Sequence, residues 1–266
     1  MAERRSVIFL VTTMHEDIRA LYISDAYIAK NPDLHEPDSP WKISVLKPLI
    51  DAFAHAHQSE MVTVLDVGGG AGVILSKLAQ HLEHAHGKKV VKYCLDLSPG
   101  MLVAQKKNNP DAVKILERDI ADTGLGEKEV DLILMIDVLE HVKDPVLVLR
   151  EIRRIASWAV LKVPLEDTFY YRSMDWVTRG RFRARLIEEI GHVNVYDTKR
   201  LLELLERELG SVCLWSYTNV YRYLLGTPQR LPDRVLNLLG LMTYRVSPGV
   251  AARLWSDYLV ALVRSA

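Results

Sequence analysis

The stretch Val62–Ala79, VTVLDVGGGAGVILSKLA, constrains this chain more than any other. Val62, Val64, Leu65 and Val67 are apolar and mostly β-branched, as a parallel strand buried on both faces requires. Asp66 lies near the end of that run. Gly68, Gly69, Gly70 and Gly72 then permit a tight turn and let the backbone approach a ligand closely. Ile74, Leu75, Leu78 and Leu82 resume at helical spacing. A unit of this kind aims the N–H groups of a helix start at a bound polar group. The dinucleotide fingerprint is not met, because its third small residue falls on Val73 or on Leu75. The pattern present is Asp66-x-Gly68-x-Gly70-x-Gly72.

Three further strand–loop elements follow in order. Lys89–Leu95 reads as a second strand with Asp96 at its end, where a carboxylate can accept both hydroxyls of a ribose. Ser98 is placed to cap the next helix and Pro99 to open it. Val113–Leu116 reads as a third strand, followed by Asp119-Ile120. Val130–Ile136, VDLILMI, reads as a fourth, followed by Asp137-Val138-Leu139-Glu140-His141-Val142. Strands alternating with helices predict a parallel, doubly wound sheet.

Taken together, these motifs resemble those of the class I S-adenosylmethionine (SAM) dependent methyltransferases, over about residues 39–264. The resemblance implies an α/β, Rossmann-like fold: a doubly wound, mostly parallel seven-stranded sheet with helices on both faces and a helical cover, its last strand antiparallel. It implies SAM as cofactor, with the turn at Asp66, Gly68, Gly69, Gly70 and Gly72 around the methionine part. Asp96, with Leu97 beside it, would take the ribose. Asp119 would face the adenine amino group, with Ile120 on the ring. Asp137 would border the cofactor, Lys42 would meet the methionine carboxylate, and Trp41 and Tyr27 would close a lid. The acceptor site would lie beyond strands four and five.

Methyl transfer from a sulfonium leaves the protein to position the acceptor and exclude water. A hydroxyl acceptor profits from a base of near-neutral pKa, for which histidine is suited. His141, after strand four, and His192, in Gly191-His192-Val193-Asn194-Val195-Tyr196, are the candidates, against the plainer role of helix caps or backbone partners. Their availability favours a small-molecule acceptor methylated at oxygen rather than nitrogen. Asp137, Glu140, His141 and His192 also resemble the ligand set of magnesium-dependent small-RNA methyltransferases, which makes a metal-assisted variant the alternative to a metal-free site. Pro164–Arg185 offers Tyr170, Tyr171 and Trp176 as walls. Its Arg172, Arg179, Arg181, Arg183 and Arg185 are candidate clamps for an anionic metabolite, or else part of a solvated basic face.

The domain reading is an N-terminal helical lid segment at 1–58 and a methyltransferase domain at 59–266. Within the latter lie an acceptor-site cover at about 164–196 and a helical insertion at about 219–255. Helices are expected at about 41–57 and 201–209, and the last two strands at 211–218 and 258–263. The insertion carries Arg222, Arg230, Arg234, Arg245 and Arg253 against one acid, Asp233. It is either packed on the sheet with solvated arginines, or it forms a substrate cap or a partner interface.

Lys and Arg number 34, as do Asp and Glu, so bulk charge gives no drive toward nucleic acid. An RNA or protein acceptor, or a catalytically silent SAM-binding subunit, are the competing readings. Cys94 and Cys213 lie in apolar stretches and are expected to be buried free thiols in a reducing compartment. The apolar run at Val7–Val11 is shorter than the ~7–15 residues of a signal peptide, and no run reaches the ~20 residues of a membrane span. A cytoplasmic location is the expectation.

Overall fold

A computed structural model describes Leu34 and residues 36–266. The readings at Val7–Val11 and Tyr27 lie outside the described residues. A 3-10 turn, Glu36–Asp38, leads into α1 (Ser39–Ala56). There follow β1 (Met61–Val67), α2 (Val73–His86), β2 (Lys89–Asp96), α3 (Pro99–Asn108), β3 (Lys114–Glu117), β4 (Val130–Ile136) and α4 (Pro145–Ile155). The chain continues through β5 (Ala156–Leu165), α5 (Phe169–Val177), α6 (Arg181–Ile190), α7 (Thr198–Glu208) and β6 (Gly210–Tyr217). It ends in α8 (Val220–Leu224), α9 (Leu231–Val246), α10 (Pro248–Leu254) and β7 (Asp257–Ser265).

The strands form one seven-stranded sheet in the order β3-β2-β1-β4-β5-β7-β6. The first five pair in parallel, and β7 runs antiparallel to both β5 and β6. The chain order reverses between β1 and β4, so a crevice opens there at the C-terminal ends of the strands, where ligands of open α/β sheets bind. β4 has six buried residues in seven because helices cover it on both faces.

Two cores result, one on each face. One gathers Leu65, Ile133, Leu149, Leu161 and Leu201 with α4 and α7. The other packs α1 and α2 onto the opposite face through Leu46, Leu49, Ile50, Phe53, Leu75, Leu78 and Leu82. This corrects the lid assignment for the described part of residues 1–58. Phe53 and Ile50 are 0% exposed, so α1 is core rather than a cover that opens. Truncating such a phenylalanine to alanine costs about 3–5 kcal/mol.

The expected insertion is α8, α9 and α10, held by a small cluster of Val220, Tyr221 and Ala251 with Trp41, Tyr244, Trp255 and Tyr258. Gly240 of α9 is obligatory there, since a Cβ would lie 2.3 Å from the Tyr221 ring. The outer side of α9 exposes Leu231, Val235, Met242 and Val246. Cys94 is buried as expected, but Cys213 is exposed, because β6 is an edge strand whose outer face meets solvent. Among the described residues no helix is long and apolar enough to cross a membrane.

Candidate active site

The glycine turn is shaped by two close approaches. Gly68 has φ +60°, and a Cβ on it would come 2.8 Å from Val138 Cγ2, in the loop after β4. At Gly69 a Cβ would lie 2.0 Å from Asp66 Oδ2, so no side chain fits over that carboxylate. The backbone N–H of Gly68 donates to the Leu95 carbonyl at 2.8 Å, locking the turn to the end of β2. The far end of α3 secures the other side: Asn109 Nδ2 donates to the Gly72 carbonyl and Asn108 Nδ2 to that of Ala71, both at 2.9 Å.

Two carboxylates face this turn from neighbouring strands. Asp96 accepts from the Ser98 N–H at 2.9 Å and from Gln105 Nε2 at 3.2 Å. Burial pushes its pKa up to about 6 against these bonds. Asp66 is 1% exposed, and its Oδ2 has no hydrogen-bond partner among the described residues. Burial, and secondarily the charge of Asp96, raises it to about 7. A buried acceptor with no donor suits a ligand that brings donors. Ile120 is 7% exposed beside Asp119, whose Oδ1 accepts the Ala121 N–H at 3.0 Å, and Leu97 is half-buried.

Beyond β4 the chemistry changes. Asp137 stands at φ +57° and its carboxylate is shared by two lysines: Lys162 of β5 at 2.5 Å and Lys42 of α1 at 3.0 Å. Lys42 also pairs with Asp38 at 2.9 Å. Burial opposes ionisation of Asp137, but Lys162 and then Lys42 outweigh it and hold the carboxyl below its ordinary range. Burial lowers the Lys162 ammonium, with Asp137 opposing. Lys162 also lies over the Tyr258 ring at 3.3 Å and the Trp41 ring at 5.0 Å, and Trp41 stacks on Tyr223. Lys42 is thus committed to Asp38 and Asp137, and Trp41 to the aromatic cluster. Both depart from the expectation of a methionine clamp and a lid, because the lysines neutralise a buried carboxylate.

His141 and His192 meet over the ends of β4 and β5, their ring centroids 4.8 Å apart. His141 Nδ1 is 3.1 Å from the Gly191 carbonyl, which can only accept, so that nitrogen carries the hydrogen. His192 Nδ1 is 2.7 Å from Glu166 Oε1. Arg183 of α6 lies 3.6 Å from the other Glu166 oxygen and donates to the His192 carbonyl at 3.2 Å. Glu140 is 1% exposed, with Oε2 unpartnered, and burial and then Asp137 push its pKa well above the ordinary value. Donor atoms of Glu140, His141 and His192 all lie within 4.8 Å of one another, a set that could hold a metal ion. Asp137 is not part of it, which corrects the four-residue ligand set: its charge is spent on two lysines.

The remaining acceptor candidates separate. Tyr171 packs edge-on to Phe182, and burial, with Glu166 second, raises its pKa to about 12. Tyr170 is half-buried against Trp255. Trp176, by contrast, is 82% exposed. Arg172 is a surface residue bonded bidentately to Asp167 at 2.6 and 2.9 Å, and Arg179 is also exposed. The structure therefore does not gather Arg172, Arg179 and Trp176 into one pocket. Arg183, expected among the anion clamps, instead serves Glu166 and the His192 carbonyl, and Lys162 and Glu166 were not singled out from the sequence. A lone lysine inside the apolar run AVLKVPL is the signal that could have found the first.

The sheet order, the glycine turn at its switch point and the acid ending β2 are those of the class I SAM-dependent methyltransferase fold. Residues 65–157, which carry the turn and the first four strands' motifs, match the family model described as a methyltransferase domain. No curated protein matches the sequence. Several solved structures share the fold. A protein assigned as a sarcosine dimethylglycine methyltransferase from Galdieria sulphuraria is 16% identical, with 86% of each chain covered and a TM-score of 0.55. The protein assigned as a methyltransferase in the complex with the Haloferax volcanii Trm112 activator is 17% identical, covering 91% of this chain and 96% of that one, with a TM-score of 0.58. A geranyl diphosphate C-methyltransferase from Streptomyces coelicolor A3(2), solved with Mg2+ and S-adenosylhomocysteine, is 10% identical over 77% of this chain and 73% of that one, TM-score 0.54. The cofactor is SAM, and the site fits it: the side-chain-free turn admits the backbone's close approach, and Asp96 and Asp66 offer acceptors.

Proposed function

We propose that this methyltransferase acts on a small-molecule acceptor, at oxygen in preference to nitrogen, bound over the C-terminal ends of β4 and β5. The observation that carries the reading is the Glu166–His192 pair at 2.7 Å. SAM, when bound, supplies an activated methyl on its sulfonium. Asp66, Gly68, Gly69, Gly70 and Gly72 would hold its methionine part, Asp96 and Leu97 its ribose, and Asp119 and Ile120 its adenine. The chain's own work is to place the acceptor and take its proton. Donation from His192 Nδ1 to Glu166 fixes the tautomer and leaves Nε2 as the basic atom. A hydroxyl proton would pass to Nε2, and the Glu166 carboxylate would stabilise the resulting imidazolium. Arg183 holds Glu166 from its far oxygen, while Tyr170 and Tyr171 wall the space.

A second reading rests on the three convergent donors. Glu140, His141 and His192 would hold a divalent ion that acidifies the acceptor hydroxyl, replacing the general base. One experiment separates them: transfer of labelled methyl from SAM into a fractionated metabolite extract, with and without chelator, using Asp96→Ala as the blank. A labelled small product insensitive to chelator, lost in His192→Ala at unchanged SAM affinity, supports the base. Chelator sensitivity supports the metal. Label entering RNA or protein instead, or tight SAM binding without transfer, overturns the small-molecule reading.

A further inference from the structure

A separate donor cluster lies at the opposite end of the sheet. The helix α2 starts at the glycine turn and runs back to where β2 begins at Lys89. Its last turns carry His81 and His86. The helix α1, beside it on the same face, carries Asp51 one turn before His55. Both imidazoles aim at one atom: His81 Nε2 is 2.6 Å and His86 Nε2 2.7 Å from Asp51 Oδ1. The two rings stand edge to face, 5.6 Å between centroids. His55 adds its ring edge-on to His86 at 5.2 Å, while its Nδ1 lies 2.6 Å from the Asp51 carbonyl. The imidazoles are mostly covered, at 19% and 14% side-chain exposure, and Asp51, at 41%, opens to solvent.

Ordinary surface ion pairs leave each partner free to spread over both carboxylate oxygens. Here two rings from one helix converge with a carboxylate from another on a single point, and one donor atom from each of the three lies within 4.8 Å of the other two. We propose that Asp51, His81 and His86 form a binding site for a divalent cation of borderline softness, Zn2+ being the best match. Two imidazoles and one carboxylate are the donors such an ion takes, whereas Ca2+ and Mg2+ prefer oxygen throughout. Zinc–nitrogen and zinc–oxygen bonds of about 2.0–2.2 Å in a tetrahedron set donor atoms about 3.3 Å apart. The Asp51 oxygen, now 2.6 and 2.7 Å from the two nitrogens, would draw back by well under ~1 Å to reach that spacing. Water on the exposed side completes the four ligands. The imidazoles ligate as neutral rings through Nε2, each keeping its hydrogen on Nδ1.

Such an ion would clamp α1 to α2. The opposite ends of these helices supply Lys42 and the glycine turn, so the clamp braces the cofactor crevice from behind without touching it. The site is independent of how the acceptor is activated.

The test is calorimetric titration of chelator-stripped protein with ZnCl2, together with thermal unfolding. The variants are His81→Ala/His86→Ala, Asp51→Asn, His84→Ala and His192→Ala. Circular dichroism checks that each variant is folded, and the near-isosteric Asp51→Asn guards against loss through misfolding. One zinc equivalent is expected, with a rise in Tm of several degrees. Both are lost in the double variant, weakened at least tenfold in Asp51→Asn, and retained in His84→Ala and His192→Ala. The proposal is overturned if the wild type binds no zinc, if the double variant binds as tightly as wild type, or if the zinc disappears only with His192.

Discussion

The two halves of the crevice treat buried charge in opposite ways. On the β1–β2 side, Asp66 and Asp96 have no cation between them among the described residues, and burial holds both well above the ordinary carboxylate range. On the β4–β5 side two buried carboxylates have partners: Asp137 has Lys162 and Lys42, and Glu166 has the His192 ring and Arg183. Glu140 is the exception: burial, and then the charge of Asp137, pushes its pKa well above the ordinary value. The first half is thus electrostatically incomplete until a ligand bearing donors enters it. The second already holds partners for Asp137 and Glu166, as the proposed proton transfer to His192 requires. A carboxylate waiting for a partner and a carboxylate already serving one are different instruments, although both end a strand of the same sheet.

Four substitutions break or sharpen that contrast. The largest effect is expected from His192→Ala, which should lower kcat by about 10^2–10^4-fold while leaving the SAM dissociation constant within twofold. Initial rates and calorimetry decide it, and equal losses in both quantities would merge the halves. Lys162→Met comes next. Removing one member of a buried ion pair costs about 3–5 kcal/mol, and Lys42, still on Asp137, should keep this case near the lower figure in urea unfolding. On the other side, Gly69→Ala should weaken SAM binding at least about 100-fold, because the new methyl lands on Asp66 and the turn must move. Gly87→Ala is its control, with φ +64° but open space around it, and should cost only about 1–2 kcal/mol of stability with SAM binding intact.

The last test is a matter of pH. The folded pKa of Asp66, about 7, exceeds its ordinary value of 3.8. Between those limits the folded state keeps a proton that the unfolded state has released, so stability falls as pH rises and the loss is complete above about 7. Asp66→Asn lacks this loss. Its Tm, relative to wild type, should climb from pH 4 to 7 and then level, by the equivalent of roughly 1–4 kcal/mol. A flat difference would show that Asp66 stays ionised, and the contrast between the halves would fail.

How far the sequence could be read follows the same division. The cofactor half is written in short range. Asp66 through Gly72 is one turn, and Asp96 is marked by the strand before it and by the Ser98-Pro99 helix start after it. Each element is visible because backbone geometry and function select the same few residues. The acceptor half joins distant segments. Glu166 meets His192 only because the Leu165–Tyr196 bridge draws the two chain stretches together, and His141 reaches Gly191 across a whole cover. Its histidines were legible by type, but not their partners. Arg172 misled because an arginine beside aromatic residues looks the same in sequence whether it faces a ligand or, as here, Asp167. The lone Lys162 in β5 needed the fold to explain it, since its counter-ion comes from the neighbouring strand.

The place of β7 has a consequence for how the molecule comes into being. It follows β6 in sequence, yet it lies inside the sheet, between β5 and β6. Until residues 257–265 emerge from the ribosome, β5 presents an open, apolar edge, and β6 has no strand to pair with. The site over β4 and β5 can be complete only when synthesis has passed residue 265. From the emergence of β5 until β7 follows, a growing chain of this kind is exposed to strand-to-strand association. Slow elongation or a chaperone acting late would change its yield more than either would for a sheet built in order.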